Sequence, residues 1–313
     1  MPLRIGVVGV GHLGQHHARL LASMPGVTLV GVVDTRPGRA DEIGAKYGVP
    51  GLTDVERLVG QVDAVSIAVP TESHVNVALP FIERGVAVLV EKPIAGSVAE
   101  ADRLIAAASA RDVVLAAGHT ERFNPAVAAA LPLVSRPRFI EVHRLGTFPE
   151  RSLDIDVIFD LMIHDLDLLL AAVKSEVASI EAVGVNVLTP KTDIANVRLR
   201  FADGCIANLT ASRISRERVR KARFFQTDSY VSIDYAAQEV EVYRLMRSES
   251  MAAARPIIHG GKLEITQQEP LACELRDFIE AVRERRAPGV TGMAGREALA
   301  LAERVAAAIG EAV

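Results

Sequence analysis

Through residues 1–118 the chain alternates between two hydrophobic periods. A short apolar run, residues 3–8, leads into a glycine-rich stretch and then a helical pattern that continues to about Pro25. A second strand covers residues 28–33 and ends on Asp34. The same alternation predicts helices at 39–47, 74–83 and 98–110 and strands at 64–69, 86–90 and 113–117. Strands of 5–6 mostly β-branched or apolar residues between helices of 10–14 predict a parallel sheet covered by helices on both faces.

After Gly118 the pattern changes, so residues 1–118 read as one domain and 119–313 as a second. Residues 119–125, His-Thr-Glu-Arg-Phe-Asn-Pro, form a polar cluster after the last parallel strand. An apolar, helical run over 157–170 is interrupted by Asp160, His164, Asp165 and Asp167. From about Ala178 the period becomes that of strands, at 179–188, 193–201, 205–211, 222–227, 230–234 and 239–245, with a tight turn at Ala202-Asp203-Gly204. A largely antiparallel sheet with one face against helices fits this run, and its second face could be covered by another subunit. Residues 248–263 lack periodicity and read as an extended or mobile connection, and helices at 271–286 and 295–309 close the chain.

Composition narrows the partners. A net charge of -4 gives no general attraction to nucleic acid or to an anionic membrane. Cys205 and Cys273 are too few for a disulfide scaffold or a cysteine-rich zinc site, and a cytoplasmic location is the natural expectation. Residues 1–10 are too short and too promptly structured for a signal peptide, and no apolar run reaches transmembrane length.

Candidate chemistry begins at the first turn. Gly9-x-Gly11-x-x-Gly14 between a strand and a helix has the spacing of a dinucleotide-binding fingerprint. Gly9 would permit the tight turn, Gly11 would let a pyrophosphate approach the backbone, and Gly14 would let helix and sheet pack closely. The helix N-terminus would offer N–H groups to the phosphates. Asp34, twenty residues beyond Gly14, could accept hydrogen bonds from both ribose hydroxyls and would repel a 2′-phosphate, which favours NAD over NADP. Arg36 weakens that preference, and a turn or capping role is the plain alternative for Asp34. His12 and His16 share a helix face but alone make a poor metal site.

Lys92, in Glu91-Lys92-Pro93, follows a strand and so lies where such sheets bind ligands; its ammonium could stabilise alkoxide-like charge, or simply pair with a neighbouring carboxylate. Asp160 and His164 are four apart, which on a regular helix places both on one face. A histidine oriented by a carboxylate suits removal of a hydroxyl proton as hydride leaves the same carbon; a purely structural hydrogen bond is the alternative. Arg213, Arg216, Arg218, Arg220, Lys221 and Arg223 form a basic cluster, either a solvated loop or an arm that binds an anionic substrate.

Together the glycine fingerprint, Val69-Pro70-Thr71 with His74, Glu91-Lys92-Pro93, Asp160-x-x-x-His164 and the 270–274 region leading to Pro288-x-Val290 closely resemble the Gfo/Idh/MocA oxidoreductase family over nearly the whole chain. The resemblance implies an α/β protein: an amino-terminal Rossmann domain, then an α/β domain with a large open mixed, mainly antiparallel sheet. It implies nicotinamide-dependent redox chemistry on a sugar or cyclitol, without a metal, often in homodimers or homotetramers. Lys92 is then the catalytic lysine, Asp160 the assisting aspartate and His164 the acid/base, all three also contacting substrate. The implied NAD contacts are Gly9, Gly11, His12, Leu13 and Gly14, then Asp34, Thr35 and Arg36. Val69, Pro70, Thr71, His74, Glu91 and Lys92 complete that set, with Thr71, His74 and Glu91 near the nicotinamide.

Residues 118–125 look like family members of nucleotide-sugar and lipopolysaccharide metabolism, some of which oxidise the 3-hydroxyl of a UDP-linked N-acetylhexosamine for a partner aminotransferase. Arg122, Asn124 and Arg213 then become substrate contacts, with the basic cluster serving the diphosphate. Three alternatives stand beside this expectation. They are oxidation or reduction of a free sugar or inositol, an NAD-binding regulatory protein without turnover, and nonredox chemistry through a transient ketone with retained NAD. Simultaneous retention of Lys92, Asp160 and His164 argues against the regulatory protein, since holding NAD needs none of them.

Overall fold

The computed structural model describes residues 1–148, 155–246 and 257–311. The chain divides into two compact units, Met1–Thr120 with Glu269–Leu299, and Glu121–Gln268 with Ala300–Val313.

In the first unit β1 (Leu3–Val8), α1 (Gly14–Ser23), β2 (Val27–Val33), α2 (Pro37–Tyr47) and β3 (Gly51–Leu52) build one wing. The other wing contains β4 (Ala64–Ile67), α3 (His74–Glu83), β5 (Ala87–Glu91), α4 (Val98–Arg111) and β6 (Leu115–Gly118). All six strands are parallel, in the order β3-β2-β1-β4-β5-β6, so the strand order reverses between β1 and β4. Ligands of such sheets bind beyond the carboxyl ends of the strands at that reversal. The continuous apolar runs are explained by burial: every residue of β4 and β5 is buried, as a sheet covered on both faces requires. Gly48, at φ +68°, ends α2 in the left-handed conformation that a helix stop favours.

The second unit opens with α5 (Pro125–Ala130) and β7 (Phe139–Leu145). A π-helical turn, Ile158–Met162, runs into α6 (Ile163–Ala172). There follow β8 (Val177–Val185), β9 (Ile194–Phe201), β10 (Ile206–Ser212), β11 (Val219–Phe225), β12 (Ser229–Asp234), β13 (Glu239–Met246) and β14 (Ile257–Lys262). They form one eight-stranded sheet, β14-β13-β12-β11-β7-β10-β9-β8, antiparallel except where β7 and β10 run parallel. Val197, Leu199, Leu209, Phe224, Val231 and Ile233 line its buried face.

Two strands depart from the sequence pattern. β7 lies in a stretch where no strand is expected, because Arg144 occupies an inward position and breaks the apolar alternation of Ile140 and Val142. β14 falls inside the expected connection 248–263; its Gly260-Gly261 pair and exposed Ile257 and Ile258 carry no period-2 signal, yet it pairs with β13 throughout. The earlier part of that connection, residues 248–256, lies outside the described residues.

α7 (Pro270–Glu284) and α8 (Gly292–Glu311) correct the expected boundary. The division at 118 lies within two residues of the observed break, but Glu269–Leu299 belongs to the first unit, so 119–313 is not one domain. The physical reason is the apolar face of α7: Leu275, Phe278 and Ile279 share a core with Ile5, Val7, Leu21 and Val32. The link after α7 also bonds to β6, Ala117 N–H donating to Val290 O at 3.2 Å. No helix among the described residues is long and apolar enough to cross a membrane.

Candidate active site

The glycine turn is built as its spacing requires. Gly9 has φ +82°, and a Cβ there would lie 2.5 Å from Ala68 O. A Cβ on Gly14 would lie 1.7 Å from Gly9 O, so only glycine lets α1 approach the turn. Gly11 differs: an added Cβ would meet only Arg36 Nη2, at 3.8 Å, and the space over its backbone is open. No side chain caps α1, and His12 and Leu13 are exposed beside its start. This open backbone at a helix N-terminus fits a pyrophosphate.

Asp34 is buried at the end of β2, where Oδ2 accepts the Val10 N–H at 3.2 Å and Oδ1 the Arg36 N–H at 3.0 Å. The Arg36 guanidinium pairs with the same carboxylate, Nε donating at 3.0 Å, while Thr35 and Arg36 are exposed. Burial pushes the Asp34 carboxyl up, but Arg36 and the two N–H groups hold it below the usual carboxylate range. Asp34 is therefore an ionised acceptor beside the glycine turn, the chemistry that an adenosine ribose needs, and the residues fit NAD.

Val69 and Pro70 leave β4, Thr71 opens a 3-10 turn, and Lys92 follows β5 half-buried. His74 and Glu91, expected near the nicotinamide, also tie the scaffold together internally. His74 is 1% exposed, with Nδ1 2.9 Å from Pro93 O and Nε2 3.0 Å from Val69 O, so it joins the ends of β4 and β5. Burial lowers its pKa, against the pull of the two carbonyls. Glu91 accepts from the Lys92 N–H at 3.1 Å and bonds to His17, a residue that sequence reasoning missed.

In the second unit Asp160 and His164 are both half-buried. The expected regular helix is corrected here. Asp160 lies in the π-helical turn and His164 is the second residue of α6, so their spacing is not that of one α-helical face. Such turns are rare and occur often at functional sites.

The start of α6 is anchored by buried charge. Asp165 accepts a bidentate bond from Arg144, Nε to Oδ2 at 2.7 Å and Nη2 to Oδ1 at 2.8 Å, and Glu121 accepts from the same guanidinium at 2.9 Å. Burial disfavours the Arg144 charge, but the two carboxylates more than restore it and its pKa is raised. Arg122 donates to Asp167 at 3.4 Å and to its carbonyl at 3.3 Å, which fixes a side chain expected to contact substrate.

Two residues expected to contact substrate, Asn124 and Arg213, are buried with internal partners. Asn124 is 1% exposed; its Oδ1 caps α5 through the Ala126 N–H and its Nδ2 donates to Tyr235 O. Arg213 is 2% exposed and donates to Asp193, Ile155 O and Thr189 Oγ1. The basic cluster divides accordingly. Lys221 pairs with Asp234 and Arg223 with Glu141 on the sheet, leaving Arg216, Arg218 and Arg220 as its exposed members. Among the described residues no group of three or more His, Cys, Asp or Glu is placed to hold a metal ion.

Comparison with known proteins agrees with both units. Residues 3–119 match the Gfo/Idh/MocA model described as an oxidoreductase family with an NAD-binding Rossmann fold, and residues 135–231 match the GFO/IDH/MocA C-terminal domain. UDP-N-acetylglucosamine 3-dehydrogenase of Acidithiobacillus ferrooxidans is 40% identical over 308 residues, covering 98% of this chain and 97% of that protein. A solved structure of that dehydrogenase is similar with a TM-score of 0.92, at 39% identity and with 99% of each chain covered. Inositol 2-dehydrogenase of Rhizobium meliloti is 27% identical over 332 residues, 99% of this chain and 98% of that one.

Proposed function

Because the chain belongs to the Gfo/Idh/MocA family of NAD-binding oxidoreductases, we propose that it oxidises the 3-hydroxyl of a UDP-linked N-acetylhexosamine to a ketone. One observation carries the substrate: 40% identity to a UDP-N-acetylglucosamine 3-dehydrogenase along 98% of this chain. The exposed Arg216, Arg218 and Arg220 supply the charge that a diphosphate needs, in place of the buried Arg213.

NAD, when bound, supplies the hydride acceptor. The open Gly11 backbone would hold its pyrophosphate, and the Asp34 carboxylate, now paired with Arg36, would hold its adenosine ribose. Lys92 donates to the substrate oxygen and stabilises its growing negative charge. His164 accepts the hydroxyl proton, and Asp160 orients the imidazole. The keto-sugar suits an aminotransferase that would install an amine at the same carbon. The outer face of the eight-stranded sheet, with its cross-strand row Phe139, Phe225, Tyr230 and Tyr243, serves a homo-oligomer.

The test is nicotinamide absorbance with NAD or NADP against UDP-N-acetylglucosamine, UDP-N-acetylgalactosamine, free N-acetylglucosamine and inositols. Turnover of the UDP-sugars is expected, and activity confined to free polyols would sink the proposal. Lys92→Ala and His164→Ala should each lower kcat by roughly 10²–10⁴-fold. Full turnover in both would remove them from the chemistry.

A further inference from the structure

Three polar side chains, His17, Ser66 and Glu91, are buried together beside Lys92 in the first unit. His17 projects from α1, with Nδ1 2.7 Å from Ser66 Oγ on β4 and Nε2 3.0 Å from Glu91 Oε1 at the end of β5. The other carboxylate oxygen, Glu91 Oε2, accepts the backbone N–H of Lys92 at 3.1 Å. His17 is 1% exposed, Ser66 0% and Glu91 7%. Gly118 leaves room for the carboxylate, since a Cβ there would lie 3.2 Å from Glu91 Oε2.

The chemistry of the row fixes its direction. Glu91 can only accept, so His17 gives it the Nε2–H, and Nδ1 is left to accept the Ser66 hydroxyl proton. Every member is then satisfied without water. Burial pushes the Glu91 carboxyl up, yet His17 and the neighbouring Lys92 hold it low, so the group that grips the Lys92 amide is a carboxylate. His74 holds the next carbonyl, that of Pro93, so the lysine backbone is gripped on both sides.

We propose that Ser66, His17 and Glu91 form a positioning relay that sets the Lys92 backbone and, because His17 stands on the helix that starts at the glycine turn, aligns the lysine with the dinucleotide site. The proposal rests on the reading that Lys92 acts on the substrate oxygen. Displacing a reacting group by about 1 Å can cost around 10²-fold in rate.

His17→Leu, which fills the space without hydrogen bonds, should lower kcat by roughly 10²-fold while the NADH dissociation constant, measured by calorimetry, stays at the wild-type value. His17→Gln can donate to Glu91 and accept from Ser66, and should restore most of kcat. Wild-type kcat in His17→Leu, an equal loss in both variants, or NADH affinity falling in step with kcat would each overturn the relay. If His17→Leu does not fold, Ser66→Ala decides: kcat must drop with NADH affinity and melting temperature kept, and an unchanged kcat overturns it. Full activity in Lys92→Ala is a different failure, that of the reading on which the relay rests.

Discussion

Asp193 is wholly buried, and its oxygens are consumed by the N–H groups of Val187, Leu188 and Thr189, the Thr189 hydroxyl and the Arg213 guanidinium. Burial alone would push this carboxyl up, but those donors hold it far below the usual carboxylate range. Its stabilising contribution is therefore complete above the ordinary carboxylate pKa of about 4 and is lost as pH falls from there toward the lower folded value. Asp193→Asn should cost about 3–5 kcal/mol in urea unfolding at neutral pH, since Arg213 keeps its buried charge without a counter-charge. The variant should also lose less stability than the wild type on acidification, and an equal acid slope in both would refute the assignment. The same residues show why sequence could not reveal the partners of Arg213 and Asn124. Arg213 finds Asp193 20 positions away and Asn124 finds the Tyr235 carbonyl 111 away. His17, whose partner Glu91 is 74 positions distant, was invisible for the same reason. A polar residue advertises its chemistry in sequence, but not whether a distant partner has already claimed it.

At the scale of elements, the glycine turn separates two roles that its motif lists alike. Gly14→Ala drives a methyl into Gly9 O, backbone that cannot swing aside, so both thermal stability and NADH binding should fall. Gly11→Ala places its methyl in open space, so the melting temperature should hold while NADH affinity drops, because that space is where the pyrophosphate must come. Equal melting losses in the two variants would contradict this division. The turn and the parallel strands were legible because local sterics and apolar runs determine them. β7 was not, because Arg144 faces inward to serve Asp165 and Glu121, and a charge in a core position masks the strand. The π-helical turn at Asp160 was equally silent, since its apolar neighbours Ile158 and Met162 fit an α-helical pattern as well.

For the whole molecule, the return of Glu269–Leu299 to the first unit makes that unit discontinuous in sequence. The second unit then carries a sheet whose outer side is still to be accounted for. Phe139, Phe225, Tyr230 and Tyr243 lie in register on four adjacent strands, with neighbouring ring centroids 5.6, 5.1 and 6.2 Å apart. Val183 and Val185 on β8 are 53% and 48% exposed. One row further along, the Glu141–Arg223 pair offers charges of both signs, so a second copy could meet apolar with apolar and charge with charge. Aromatic rows of this kind supply interface energy beyond their buried area. If this row carries the homo-oligomer proposed above, Phe225→Asp, which puts a charge in its middle, should lower the sedimentation coefficient to that of the 33.5 kDa monomer. NADH affinity should persist, because the glycine turn, Asp34 and Lys92 all belong to the other unit. An unchanged sedimentation coefficient in a folded Phe225→Asp protein would overturn this interface.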